Sequence, residues 1–172
     1  MATTTFDWQV PYPHPRTPVF ARNVVATSQP IAAQAGLHVL RCGGNAVDAT
    51  VAAAAAIAVV EPVSNGLGSD AFAIIWDGKE LHGLNASGIA PQTWDSAYFA
   101  KRHGGAMPDR GVDTITVPGA VAGWGAMHAK LGKLPMSDLL APAIELARGG
   151  YAVAPAIQKK WQSQAELLHM QP

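Results

Sequence analysis

Charged residues are scarce in this sequence of 172 residues, making up 14% of the chain against the roughly 25% usual for soluble domains. Twelve basic and twelve acidic residues cancel, so the chain has neither the basic footprint of a nucleic-acid binder nor an acidic tail. We therefore expect no nucleic-acid partner. Hydrophobic residues make up 49% of the chain, enough for a sizeable core. The low charge and abundant alanine predict that part of the surface is hidden against another chain.

Cysteine is almost absent, and no familiar catalytic or metal-binding motif occurs. The single cysteine, Cys42, excludes an internal disulfide framework, and its apolar helical surroundings favour core packing over a reactive thiol. No histidine is paired with another histidine or a cysteine at metal-ligand spacing, so we predict no metal and no cofactor. There is no G-x-S-x-G elbow, and Thr114 and Thr116 lie in a strand context, where β-branched residues are common.

The alanine-rich run from Ala46 to Val60 is too short to cross a membrane. It spans 15 residues, whereas a bilayer requires about 20 apolar residues. Asn45 is a good N-cap, Asp48 falls in the first turn, and Pro62 ends the pattern. We therefore predict a buried helix and no membrane partner. Residues 1–16 lack the basic and apolar regions of a signal peptide, which predicts a cytoplasmic location.

The rest of the chain predicts helices around a single strand hairpin. Residues 1–22 contain four prolines and predict an extended arm, so the second unit is residues 23–172. In that unit, Val24 to Ala26 predicts a short strand, and Ser28 predicts the cap of a helix that begins near Pro30. Further helices are predicted from Thr93 to His103, from a Pro118–Gly119 turn to Leu131, and from Pro155 to about His169. A short strand is expected before Pro118, and Pro142 is expected to start or kink a helix that ends at Gly149.

The hairpin is predicted from two apolar stretches. Ala71 to Trp76 is continuously apolar, as in a strand covered on both faces. Asp77–Gly78 is a turn signal, Lys79 to Leu84 is the returning strand, and Asn85 to Pro91 is a loop. Two strands do not make a stable sheet alone. The chain therefore looks like one half of a layered structure.

Three blocks of the sequence resemble the γ-glutamyltranspeptidases: "ATSQPIAAQAGLHVLRCGGNAVDATVAAAAAIAVVEPVSNGLGSDAF", "VPGAVAGW" and "KLGKLPMSDLLAPAIELARGGYAV". The resemblance covers about Val24 to Val153. It implies an α+β chain that is part of a four-layer αββα sandwich, the fold of N-terminal-nucleophile hydrolases. It also implies a proenzyme that cuts itself into a large and a small subunit. The exposed N-terminal threonine of the small subunit then attacks an amide, with its own α-amine as the base.

The resemblance assigns this chain to the N-terminal part of the large subunit, with no catalytic residue in it. Its partners would be the rest of the large subunit, the small subunit with the nucleophilic threonine, and a small-molecule amide. Typical members carry an arginine after the hairpin that grips the α-carboxylate of the glutamyl group. Here the matching segment is "NASGIAP", Ser87 stands at the position of the arginine, and no Arg or Lys occurs between Lys79 and Lys101. Asn85, Ser87 and Gly88 are therefore the candidate substrate-binding residues, and γ-glutamyl specificity is not implied.

Three functions remain open on the sequence. The first is the large-subunit portion of an amidohydrolase or acyltransferase. The second is a non-catalytic truncated homologue that acts as a binding or structural chain. The third is a small-molecule binding module that uses the loops at Ser64–Asp70 and Asn85–Pro91.

Overall fold

The computed structural model of the chain describes residues 18–169, so most of the predicted arm lies outside the described residues. The described part contains one two-stranded sheet and helices on one side of it. A single 3₁₀ turn, Val112–Thr114, lies between the third and fourth helices. The elements in chain order are α1 (Pro30–Arg41), α2 (Ala46–Val60), β1 (Ala71–Trp76), β2 (Leu81–Ala86), α3 (Ser96–His103), α4 (Ala120–Leu131), α5 (Met136–Gly149) and α6 (Pro155–His169).

The alanine-rich helix α2 has the predicted bounds and forms the centre of the core. Asn45 accepts from the amides of the first turn, while Asp48 accepts from the Asn45 amide and completes a capping box. Val51 and Ala52 are fully buried. The main neighbours of α2 are α1 and α5, and it is α4 that packs against both strands. The helix is therefore buried chiefly among other helices.

The hairpin buries one face and exposes the other. It is antiparallel, with Phe72 opposite Asn85 and Trp76 opposite Leu81. Alternate residues of β1, among them Ala73 and Ile75, pack against the helical core. Within the described residues only one face of β1 is covered, so the predicted cover of its second face would have to come from outside them. The opposite side, called the open face below, contains Phe72, Ile74 and Trp76 from β1 with Leu81, Gly83 and Asn85 from β2.

The second strand starts two residues later than predicted. The turn contains four residues, because Oδ1 of Asp77 accepts from the amides of both Lys79 and Glu80 at 2.8 Å. Lys79 and Glu80 are therefore turn residues rather than strand residues. The strand correspondingly continues through Asn85 and Ala86, which were predicted to lie in the loop.

The start of α1 also differs from prediction. Residues 24–26 form no strand, since they pair with no strand in the described part of the chain. Gln29, not Ser28, caps α1, with its side chain accepting from the Ile31 amide. Ser28 donates instead to Oε2 of Glu61 at 2.8 Å, which ties the start of α1 to the end of α2.

Four further differences concern a helix start, a proline inside a helix, a missing strand and one exposed side chain. Helix α3 starts at Ser96 because Asp95 caps it, and α5 passes through Pro142 as one helix. The segment before Pro118 contains the 3₁₀ turn and no strand. Cys42 is exposed rather than buried, because it caps the C-terminal end of α1 and so lies beyond the buried stripe of that helix.

Among the described residues, every helix is too short or too polar to cross a bilayer.

Candidate substrate-binding site

Three chain segments meet at the end of β2. The first is the turn that ends at Ser69, the second is the loop Asn85–Ile89, called the substrate loop below, and the third is the segment Asp113–Gly119, called the clamp segment. The Val117 amide donates to the Ile89 carbonyl at 3.0 Å, and the Ala120 amide donates to the Ser69 carbonyl at 2.9 Å. The N-terminal end of α4 therefore fixes all three segments together.

The structure brings the three predicted site residues together in one turn. Oδ1 of Asn85 accepts from the Ser87 amide at 3.1 Å, and the Ser87 hydroxyl donates to the Gly88 carbonyl at 3.2 Å. Asn85 is exposed on the open face, whereas Ser87 and Gly88 are half-buried. The turn thus presents an amide and a hydroxyl next to an uncovered apolar surface.

Two glycines allow the substrate loop and the clamp segment to touch through their backbones. Gly88 has φ of +76°, and a Cβ there would lie 1.7 Å from the Val117 carbonyl oxygen. A Cβ on Gly119 would lie 2.1 Å from the Ala86 carbonyl oxygen. Side chains at either position would push the segments apart, since real Cβ atoms do not approach so closely.

Sequence reasoning missed the side chain that joins the two segments. The Thr116 hydroxyl donates to the Ser87 carbonyl at 3.1 Å. Thr116 was interpreted only as a β-branched residue in a strand, whereas it lies in an irregular segment outside the sheet. The nearest signal in the sequence is the following Pro-Gly pair, which predicts a turn but not its partner.

A charged cluster anchors the clamp segment to α3. Asp113 is buried, and it accepts from the Tyr98 hydroxyl at 2.6 Å and from Nε2 of His103 at 2.7 Å. Nε of Arg102 lies 2.7 Å from the same carboxylate. The hydrogen bonds from Tyr98 and then His103 hold the pKa of Asp113 below its usual value, and the same bond from Tyr98 raises the pKa of that phenol.

A second polar cluster lies at the opposite end of the hairpin. Nε2 of His82 is 3.0 Å from Asp77 and 3.5 Å from Glu80. The hydrogen bond from His82 is the main cause that lowers the pKa of Asp77 to about 2. These three side chains could present ligand atoms to a metal ion. The hydrogen bonds of the turn account for their arrangement, however, and we assign no metal to them.

Apart from the buried Asp113 carboxylate, the three segments present neutral hydrogen-bonding groups. The side-chain donors and acceptors of the site are the Asn85 amide and the hydroxyls of Ser69, Ser87 and Thr116. No Arg or Lys occurs between Lys79 and Lys101, so the substrate loop offers no cation to a carboxylate. These neutral groups can orient an amide or an uncharged polar group.

Comparison with known proteins places these features in a family. The family described as Gamma-glutamyltranspeptidase matches residues 32–172. The chain is 35% identical over 154 residues to the glutathione hydrolase-like YwrD proenzyme of Bacillus subtilis, covering 88% of this chain and 29% of that protein. It is 41% identical over 152 residues to the oxamate amidohydrolase proenzyme of Klebsiella pneumoniae, covering 83% of this chain and 28% of that protein.

Two solved structures have the same arrangement of elements. Cephalosporin acylase from Bacillus halodurans matches with a TM-score of 0.83 and 46% identity, covering 96% of this chain and 31% of that one. Helicobacter pylori γ-glutamyltranspeptidase matches with a TM-score of 0.80 and 34% identity, covering 88% of this chain and 44% of that one. These matches confirm the predicted fold class, an α+β part of the N-terminal-nucleophile hydrolase fold. The chain spans less than a third of the length of the first curated relatives that it matches.

Proposed function

Because the chain belongs to the γ-glutamyltranspeptidase family, we propose that it is the N-terminal part of the large subunit of an amidohydrolase. The nucleophile is an N-terminal threonine supplied by a segment outside these 172 residues. Its hydroxyl attacks the amide carbonyl and its α-amine takes the proton, which then passes to the leaving amine. Water or an amine acceptor releases the acyl group. This chain contributes the substrate loop and a face for assembly.

The exposed residues of the open face are evidence that another layer of the protein packs against it. Phe72, Ile74, Trp76 and Leu81 are 63–80% exposed in the described chain. Monomeric soluble proteins rarely expose contiguous apolar patches of this kind, so such a patch indicates a covering surface. In this family fold, the second sheet of the sandwich, built from the rest of the large subunit and the small subunit, is the natural cover. Asn85 shares the open face, which brings the substrate loop next to that interface.

The substrate loop carries the proposal about the acyl group. A glutamyl group presents an α-carboxylate, which relatives bind with a bidentate arginine, and a hydroxyl cannot replace that guanidinium. Ser87 occupies this position, and its hydroxyl is already engaged with the Gly88 carbonyl. The substrate is therefore an amide whose acyl group lacks the charged amino-acid head of glutamate. Two relatives with higher identities are named as a cephalosporin acylase and an oxamate amidohydrolase, which supports an acyl group other than γ-glutamyl.

The test is a pair of substrates and a pair of arginine variants in the complete, processed protein. We expect the wild type to hydrolyse a simple acyl anilide more efficiently than a γ-glutamyl anilide. Ser87→Arg should raise kcat/KM for the γ-glutamyl anilide about tenfold, since a charge-assisted contact contributes about 1.5–3 kcal/mol. Ser163→Arg is the matched control, because it adds the same charge on the exposed surface of α6.

The outcomes separate the proposal from its alternatives. Efficient wild-type turnover of the γ-glutamyl anilide, with no gain from Ser87→Arg, would show that another group binds the carboxylate. Absence of both self-cleavage and amide hydrolysis in the complete protein would support a non-catalytic chain instead.

A further inference from the structure

We propose that Thr116 is a positioning residue for substrate recognition. Its hydroxyl holds the peptide group of Ser87 and so fixes the direction in which the substrate loop presents Ser87 and Asn85. This inference rests on the proposed function of that loop.

In the described part of the chain, the Thr116 hydrogen bond is the only side-chain hydrogen bond between the clamp segment and the substrate loop. It joins Oγ1 of Thr116 to the Ser87 carbonyl, 29 positions away in sequence, at 3.1 Å. The remaining ties are between backbone groups, such as Val117 to Ile89. Backbone ties follow from the path of the chain, whereas the Thr116 bond depends on one hydroxyl. Removing that hydroxyl is therefore a selective change.

The two peptide groups of Ser87 determine the direction of the substrate loop. The Ser87 amide is held by Asn85 on one side, and the Ser87 carbonyl is held by Thr116 on the other. The next residue, Gly88, has φ of +76°, and glycine can also adopt other backbone conformations at little steric cost. Without the Thr116 bond, the peptide between Ser87 and Gly88 can rotate, and the Ser87 side chain moves with it.

The clamp segment is rigid enough to act as a reference. Asp113, three residues before Thr116, is buried and bonded to Tyr98 and His103. Gly119, three residues after it, packs against the Ala86 carbonyl and donates to Ser69. The chain on both sides of Thr116 is therefore held in place, and the hydrogen bond from the Thr116 hydroxyl holds the substrate loop against it.

The experiment compares Thr116→Val, which removes the hydroxyl at nearly constant shape, with Thr116→Ser, which keeps it. Thr50→Val is the matched control, because the Thr50 hydroxyl donates to the Ala46 carbonyl at 2.8 Å within α2, outside the three segments of the site. All variants are made in the complete protein. The readouts are KM and kcat for the acyl anilide, and hydrogen exchange of the peptide that covers residues 84–91.

We expect Thr116→Val to raise KM about 2- to 12-fold, the range that the loss of one hydrogen bond gives, with kcat changed less than about twofold. Exchange in residues 84–91 should accelerate by a similar factor without substrate. Thr116→Ser should restore both readouts, and Thr50→Val should leave both as in the wild type.

The inference is overturned if Thr116→Val leaves exchange in residues 84–91 unchanged, whether or not the protein is active. It is also overturned if exchange accelerates while KM stays at the wild-type value. A wild-type protein that hydrolyses no amide, with exchange still dependent on the Thr116 hydroxyl, contradicts the proposed function and leaves the positional role of Thr116 supported.

Discussion

At the scale of single residues, one buried carboxylate joins two distant parts of the chain. Asp48 is fully buried. It accepts from the Asn45 amide at 3.0 Å, from the Lys133 amide at 3.0 Å and from the Leu134 amide at 3.2 Å. The first bond caps α2, and the other two fix the loop between α4 and α5. A carboxylate with this many donors is compatible with burial, because each oxygen accepts hydrogen bonds from protein amides in place of those from water.

We expect Asp48→Ala to lower the free energy of unfolding by about 3 kcal/mol. The substitution leaves three partly buried backbone amides without their acceptor, and a fully buried unpaired donor costs about 1–3 kcal/mol. Urea unfolding of the complete protein measures the effect. Asp138→Ala is the matched control, because Asp138 also lies in the first turn of a helix but is exposed. Equal losses for the two variants would mean that Asp48 contributes only through the helix dipole.

The residues also show the limit of reading a site from sequence. The family pattern identified Ser87 as the position that differs, and the structure places it in one turn with Asn85 and Gly88. Thr116 could not be found in this way, because its partner is 29 positions away and no periodic pattern relates them. Cys42 was misjudged for a similar reason: an apolar context predicts burial, but the exact residue at which a helix ends decides it.

At the scale of elements, the sequence predicted correctly the elements that have strong local signals. These are a helix with capping residues and a strand that is apolar throughout. Helix α2 has a capping box at one end and Pro62 beyond the other, and β1 is bounded by polar turns, so both have the predicted bounds. Strand β2 was shifted because two turn residues, Lys79 and Glu80, carry no turn signal of their own. The predicted strand at Val24 does not form, because a strand needs a hydrogen-bonded partner strand and not only residues with β propensity.

Two neighbouring alanines of α2 differ in burial, although nothing in the sequence distinguishes them. Ala55 is 4% exposed, and Ala54 is half-buried and lines an opening of about 270 Å³ between α2 and β1. Ala55→Leu should therefore overpack the core and cost about 1–3 kcal/mol. Ala54→Leu should cost less than about 1 kcal/mol, because the added atoms enter the opening. Thermal or urea unfolding of the complete protein distinguishes them, and equal costs would mean that the opening is filled after assembly.

At the scale of the whole molecule, the arrangement of the described residues is one-sided. Helices cover one face of the hairpin, and on the open face Ile74 is 80% exposed and Trp76 is 63% exposed. Apolar runs in the sequence predicted burial on both sides of β1. The sequence could not show which face of β1 is covered by helices of this chain, because that depends on how the elements pack and not on local composition.

A charge placed on the open face should reduce association both in the 172-residue chain alone and in the complete protein. We expect Ile74→Lys to reduce self-association of the isolated chain, since a charge interrupts the apolar patch and the unpaired strand edge beside it. In the complete protein the same change should weaken assembly, because a lysine would be buried without a partner. Sedimentation of the isolated chain and the yield of assembled protein measure the two effects. Met107→Lys, at a residue 59% exposed outside the hairpin, is the control and should change neither. An isolated chain that is already monomeric and unfolds cooperatively would show that the open face needs no cover, which would favour a self-sufficient binding module over half of a sandwich.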